Sequence, residues 1–208
     1  EVINSSDIVI LSVKPQFYAE VIAEIKDDVR EDQIIITIAP GKTLTWLKEQ
    51  FGKNVKIVRT MPNTPALVGE GMTAACPNEY MTKEEIAYVL TLLESFGRVE
   101  IIPERLMDTV VSVSGSSPAY VFMFIEAMAD AAVSGGMPRA QAYQFAAQAV
   151  LGSAKMILET RKHPGELKDM VCSPAGTTIE AVRVLEEKGF RSSVIEAMKT
   201  CEEISKSM

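Results

Sequence analysis

The sequence predicts an α/β chain, with a doubly wound sheet over residues 1–102 followed by an all-α half over 103–208. Two observations predict it. Up to Ile102, short continuous runs rich in β-branched residues alternate with amphipathic stretches, the pattern of buried strands covered by helices. Beyond Glu104 no clear strand pattern remains, and apolar residues recur at helical spacing.

The elements follow in order. Ile8 to Val13 is an unbroken apolar run closed by Pro15, so a buried strand is expected there. Phe17 to Val29 carries Val21, Ile22 and Ile25 on one helical face. Ile34 to Ile38 predicts a second strand, followed by Ala39-Pro40-Gly41. Thr43 to Gln50 predicts a short helix with Leu44 and Leu47 inward and Thr43 as a cap. Val55–Arg59, Met72–Cys76 and Val99–Ile102 predict three more strands. Thr82-Lys83-Glu84-Glu85 has the capping-box pattern and opens a helix between the last two. In the second half, helices are expected over Met107–Ser114, Pro118–Val133, Ala140–Thr160, Pro164–Met170, Thr177–Glu187 and Ser192–Lys206. The Pro118–Val133 stretch is apolar nearly all round. A helical half of this size has little room to bury it alone, which points to a homodimer interface as well as a core.

Composition excludes several classes. With 47% apolar residues and a net charge of −7, the chain is globular and acidic, with no Lys/Arg stripe to neutralise nucleic-acid phosphates. Its unbroken apolar runs fall well short of the roughly 18 residues of a membrane span, so no membrane partner is expected. Cys76, Cys172 and Cys201 are odd in number and form no CxxC pair, which argues against disulfides or a zinc site and for a cytoplasmic location. The single histidine, His163, is expected to be an ordinary surface residue, and no metal is expected. The opening Glu-Val-Ile-Asn has neither an initiator Met nor signal-peptide features, as expected of a chain trimmed from a longer one.

Three aperiodic segments hold residues suited to chemistry. Ser12-Val13-Lys14-Pro15 follows the first strand, and ligands of open α/β sheets bind outside the carboxyl ends of strands. Lys14 there either meets a phosphate, ribose or carboxylate, or is a solvated residue opening a helix. Arg59-Thr60-Met61-Pro62-Asn63-Thr64-Pro65-Ala66 has two prolines that stop any regular element, so Asn63 either presents an amide at a strand end or sits in a rigid loop. Cys172 to Glu180 places Pro174 and Gly176 before a helix with Thr177 and Thr178 in its first turn. The free N–H groups of such a start form an anion site, though an N-cap at Thr177 plus a loop also explains the pattern.

Taken together these segments resemble the pyrroline-5-carboxylate reductases. The resemblance runs through Val13-Lys14-Pro15-Gln16, Met61 to Ala66, Val113 to Tyr120, Ile125-Glu126-Ala127, Gly135 to Arg139, Pro164 to Lys168, Val171 to Glu180 and Leu185-Glu186. It implies a Rossmann domain, here partial, followed by a helical domain that dimerises and in some members assembles further. It implies NADPH- or NADH-dependent reduction of 1-pyrroline-5-carboxylate to L-proline, the last step of proline biosynthesis. By the same resemblance, Ser12, Val13, Lys14 and Pro15 line the cofactor ribose and nicotinamide. Ala39, Pro40 and Asn63 lie beside the nicotinamide, and Glu104 lies close to the cofactor. Ser173, Gly176, Thr177 and Thr178 hold the substrate, and Thr178 orients its ring nitrogen or relays a proton to it.

The sequence departs from the family pattern in three places. It has no GxGxxG opening and no second strand to select the adenosine ribose, parts that take about 30 or more residues. Weak dinucleotide binding is therefore expected of the chain as it stands. Ser117 stands where a second Gly is usual, and Ala175 replaces the Gly of Ser-Pro-Gly-Gly-Thr-Thr. Two rivals stand beside this reading. One is a Rossmann-plus-helical dehydrogenase of 3-hydroxy acids, which would rely on a lysine. The other is a helical dimerisation fragment without activity.

Overall fold

The computed structural model describes residues 2–207, so the outermost limits of the expected domains, and the expectation attached to Glu1, lie outside the described residues. Five strands form one sheet in the order β1-β2-β3-β4-β5: β1 Ile8–Leu11, β2 Ile34–Thr37, β3 Lys56–Met61, β4 Gly71–Pro77 and β5 Gly97–Ile101. Neighbours run parallel except β3 and β4, which are antiparallel. The loop 62–70 between those two explains the exception. A parallel return needs a crossover of about a dozen residues or more, usually a helix, and this loop is too short for one.

Side chains alternate across the sheet and build a separate core on each face. Val9, Leu11, Ile35 and Ile57 pack against α1 (Tyr18–Ile25) and α2 (Leu44–Phe51). Ile34, Ile36 and Val58 pack against α3 (Lys83–Glu94) through Val89 and Leu93. Helices on both faces make the sheet doubly wound, as expected from its buried runs. The Thr82 box closes as expected, with the Glu85 N–H donating to Thr82 Oγ1 at 3.2 Å and the Thr82 N–H to Glu85 Oε2 at 2.9 Å. Where β4 and β5 begin, Gly71 pairs with Gly97. Gly97 has φ 153, and a Cβ on it would collide with the Gly71 backbone, so no other residue fits.

The helical half follows the expected elements closely: α4 Met107–Val110, α5 Ser117–Ser134, α6 Arg139–Thr160, α7 Pro164–Val171, α8 Thr177–Glu187 and α9 Phe190–Lys206. The expected Met107–Ser114 helix is split, because α4 widens into a π-helical turn over Val111–Gly115. Pro118 supplies a reason. It has no N–H to meet the Ser114 carbonyl, and that carbonyl instead accepts from the Asn63 side chain at 3.0 Å.

Packing groups the chain into two compact units, Glu1–Pro118 with Met198–Met208 and Ala119–Ala197. This differs from the expected division at 102/103. Residues 104–118 lie with the sheet because Glu104 pairs with Arg59 and Met107 is buried beside Ala74 and Cys76. The end of α9 lies there too, with Ser205 Oγ donating to Asp108 Oδ1 at 2.7 Å. Within the second unit, Ala129, Ala142 and Ala146 are buried, whereas Phe122 and Met123 of α5 are 61% and 68% exposed. The helical run Glu104–Ser134 is long and apolar enough, by length and composition, to cross a membrane. The count of unbroken apolar runs had not anticipated that, because polar residues punctuate the stretch without lowering its average much.

Candidate active site

In the sheet unit, the expected cofactor residues converge. Leu11, Thr37 and Arg59 are paired in register across β1, β2 and β3, so the chain leaves three adjacent parallel strands side by side. Strand neighbours lie about 4.8 Å apart, which brings the Ser12–Pro15, Ala39–Pro40 and Pro62–Asn63 loops together at one end of the sheet. β1 stops at Leu11, shorter than the run to Val13. Ser12 and Lys14 are exposed, Val13 packs partly on the core, and Pro15 starts a 3-10 turn whose Phe17 N–H returns to the Lys14 carbonyl at 2.9 Å. Ala39 is buried and Pro40 half-buried, so neither projects a long side chain over the strand ends. Beside them opens an apolar recess of about 470 Å³, walled by Ile10, Ile36, Ile38, Pro62 and Leu67. Small residues at the strand ends and an apolar wall suit the flat face of a nicotinamide ring. The described residues fit that end of a dinucleotide and include no GxGxxG turn for its phosphates.

Two expected residues turn out to be engaged with the protein itself. Asn63 donates from Nδ2 to the Ser114 carbonyl and accepts the Met72 N–H on Oδ1 at 2.8 Å. Its amide therefore braces the loop. Glu104 Oε1 accepts from the Arg59 guanidinium at 2.9 Å and from the Leu44 N–H at 2.6 Å. With Thr43 Oγ1 taking the Trp46 N–H, this satisfies two of the free N–H groups at the start of α2. The Arg59 side chain is only 5% exposed, and Glu104, 29% exposed, is the counter-charge that meets it. The same carboxylate and, more strongly, burial push the thiol of nearby Cys76 up, which keeps it protonated.

Sequence reasoning missed Tyr18. Its ring is fully buried, and its hydroxyl donates to the Leu11 carbonyl at 2.5 Å and accepts the Ile38 N–H at 3.2 Å. Arg59 heads the Arg59–Ala66 segment singled out from the sequence, which assigned it no role; only the fold shows that it is buried.

In the helical unit, the expected substrate residues form one continuous turn into a helix. The Gly176 N–H donates to the Ser173 carbonyl at 3.0 Å, closing a β-turn with Pro174 and Ala175 at its corners. Ala175 has φ 55, the left-handed region a type II turn demands at this corner, which is why glycine suits the position. Gly176 leaves room for the Ser173 side chain as it stands: a Cβ there would force Ser173 Oγ to rotate away. The N-cap of α8 is Gly176, not Thr177, and no side chain caps it. The first-turn N–H groups of α8 therefore lack the side-chain cap that α2 has; Ser173, in the turn before it, is exposed and Thr178, in its first turn, is half-buried. Uncapped N–H groups at a helix start favour an anion such as a carboxylate. His163 lies one helix earlier and caps α7, its Nδ1 accepting the Gly165 N–H at 3.0 Å.

A family model described as pyrroline-5-carboxylate reductase dimerisation matches residues 104–208, and one described as NADP oxidoreductase, coenzyme F420-dependent, matches residues 1–41. The pyrroline-5-carboxylate reductase of Escherichia coli is 60% identical over 208 residues, covering all of this chain and 77% of that protein. The chain belongs to the pyrroline-5-carboxylate reductase family. A reductase of Methanosarcina acetivorans is 44% identical over the full chain and 77% of its own length. A solved family member, the Plasmodium falciparum pyrroline carboxylate reductase with NADP bound, superposes with a TM-score of 0.92 at 34% identity, over 98% of this chain and 78% of that one.

Proposed function

We propose that this family member is an NAD(P)H-dependent oxidoreductase that reduces 1-pyrroline-5-carboxylate to L-proline, as the final step of proline biosynthesis. The observation that carries this reading is the Ser173–Gly176 turn, which delivers an uncapped helix start flanked by the Ser173 and Thr178 hydroxyls. The N–H groups of Thr177 and Thr178 hold the substrate carboxylate, Gly176 lets it approach closely, and Ser173 adds a hydroxyl donor. Thr178 hydrogen-bonds the ring nitrogen and presents the C=N bond in one orientation. A protonated imine is the better electrophile, and Thr178 either holds that proton in place or relays it from water.

NADPH or NADH supplies the hydride when bound. Ser12, Val13, Lys14, Pro15, Ala39 and Pro40 form its nicotinamide-side wall, while Asn63 and Glu104 hold that wall in shape through the contacts described above. The chain's part in the reaction is thus proximity and orientation. Functionally, residues 1–102 serve the nucleotide and 103–208 serve substrate binding and dimerisation. The exposed apolar face of α5 is covered by a second copy in a homodimer, which can assemble further, and membrane and nucleic acid are not partners. The location is cytoplasmic.

The test is the loss of reduced-nicotinamide absorbance with pyrroline-5-carboxylate as substrate, measured beside a 3-hydroxy acid with the oxidised cofactor. Preferential turnover of the imine is expected, and preference for the hydroxy acid would overturn the proposal. Thr178→Ala should lower kcat roughly tenfold to a hundredfold, the loss of one hydrogen bond to a charged group, with the fold intact. Unchanged kinetics would remove Thr178 from the reaction.

A further inference from the structure

We infer that Tyr18 is a positioning residue for the reaction: its hydroxyl sets the spacing of the two strand-end loops that form the nicotinamide-side wall. The inference rests on the cofactor placement proposed above. Tyr18 is the first residue of α1, seven positions after Leu11, and its ring inserts beneath the ends of β1 and β2. The β1–β2 pairing ends at Leu11 and Thr37. Immediately past that point the two chains part, one into Ser12–Pro15 and the other into Ile38–Pro40. The phenol sits in the gap with one bond to each side, donating to the Leu11 carbonyl and accepting the Ile38 N–H. It thereby ties together two loops whose ladder contacts have run out.

Two further features fit a fixed spacer. The ring is completely buried among Ile22, Ile35 and Leu47, so it cannot swing away. Burial also raises the pKa of the phenol, so the hydroxyl remains a donor across the working pH range of an enzyme. A phenylalanine at this position would keep the packing and lose both bonds. Its neighbours Val13 and Ala39 belong to the same cluster, so a shift between the strand ends moves the wall directly. Tyr18 itself is fully buried and behind these loops, and on this reading it touches neither cofactor nor substrate.

The experiment is steady-state kinetics on the full-length enzyme with Tyr18→Phe, beside Ile22→Val and Ser12→Trp. Tyr18→Phe should raise the KM for NADPH roughly fivefold to tenfold, as expected for two weakened backbone tethers. It should leave kcat and the KM for the imine near their starting values. Ile22→Val probes the same core without touching the tethers, and it should lower Tm while leaving every kinetic constant alone. Ser12→Trp places bulk on the exposed wall and should raise the KM for NADPH whatever Tyr18 does. If Ser12→Trp raises that KM and Tyr18→Phe does not, the positioning role is overturned and the wall stands. If neither variant changes it, the cofactor placement itself fails. If Tyr18→Phe behaves as Ile22→Val does, losing Tm alone, Tyr18 is only a packing residue.

Discussion

The sheet unit and the helical unit handle their apolar residues in opposite ways. In the first, Ile22, Ile35, Ile36 and Leu47 have no exposure at all, although Ile10 of β1 is half exposed at the apolar recess. In the second, three alanines are buried while Phe122, Met123, Phe145 and Leu158 stand largely in the open. On α5 and α6 the buried residues are small ones, and the large apolar residues face outward. One unit closes most of its core on itself. The other is half of a core, as the dimerisation family model over 104–208 leads one to expect.

The largest effect should come from breaking that asymmetry. Met123→Asp puts a charge into the proposed contact between copies, and sedimentation should show dissociation with activity falling together with it. Ile35→Ala, in the core of the sheet unit, should cost about 3–4 kcal/mol in urea unfolding and leave the association state unchanged. A Met123→Asp protein that stays dimeric would refute the comparison.

Next comes the tie between Glu104 and the sheet. Glu104→Ala strands the buried Arg59 and the Leu44 N–H, and should cost about 3–5 kcal/mol by urea unfolding. Ala175→Gly works in the other direction. It relieves a left-handed alanine and should stabilise the protein by about 1 kcal/mol, seen as a raised Tm. If Tm does not rise, the turn is tighter than its φ implies.

The smallest effect belongs to the capping box of α3. Thr82→Ala should cost about 1 kcal/mol. The Glu85 carboxyl is held below its usual range by the Lys56 ammonium at 2.5 Å and then by the Thr82 N–H. A carboxyl whose pKa is lowered on folding adds stability that is complete above its unfolded value, about 4.3, and fades as pH falls through the folded one. Lys56→Met should therefore flatten the acid limb of Tm against pH and leave the neutral and alkaline limbs alone.

Much of this was legible in the sequence. Each expected strand and helix is present, because a continuous β-branched run or a repeat of three to four residues fixes local structure without distant help. The boundaries moved by a few residues: β1 stops early at Leu11, proline intervenes at Pro15 and Pro118, the helix expected to reach Val29 stops at Ile25, and β3 runs on to Met61. The exposed apolar face of α5 was also foreseen, from an excess of apolar residues over the space available to bury them. The site was half legible. The strand-end loops and the Ser173–Thr178 turn carry aperiodic residues that announce themselves.

What the sequence determined by itself was the order and type of the elements, the change of character near residue 103, and the two segments bearing the site. Tertiary structure decided the rest. It turned the Asn63 amide inward to a carbonyl orphaned by Pro118, made Glu104 the counter-charge of Arg59, set Tyr18 between two strand ends and left α8 without the side-chain cap that α2 has. The first group depends on neighbours within a turn or a strand. The second depends on contacts that come together only when the sheet assembles, such as Arg59 with Glu104 at a separation of 45 residues and Asn63 with Ser114 at 51, and no local period encodes them.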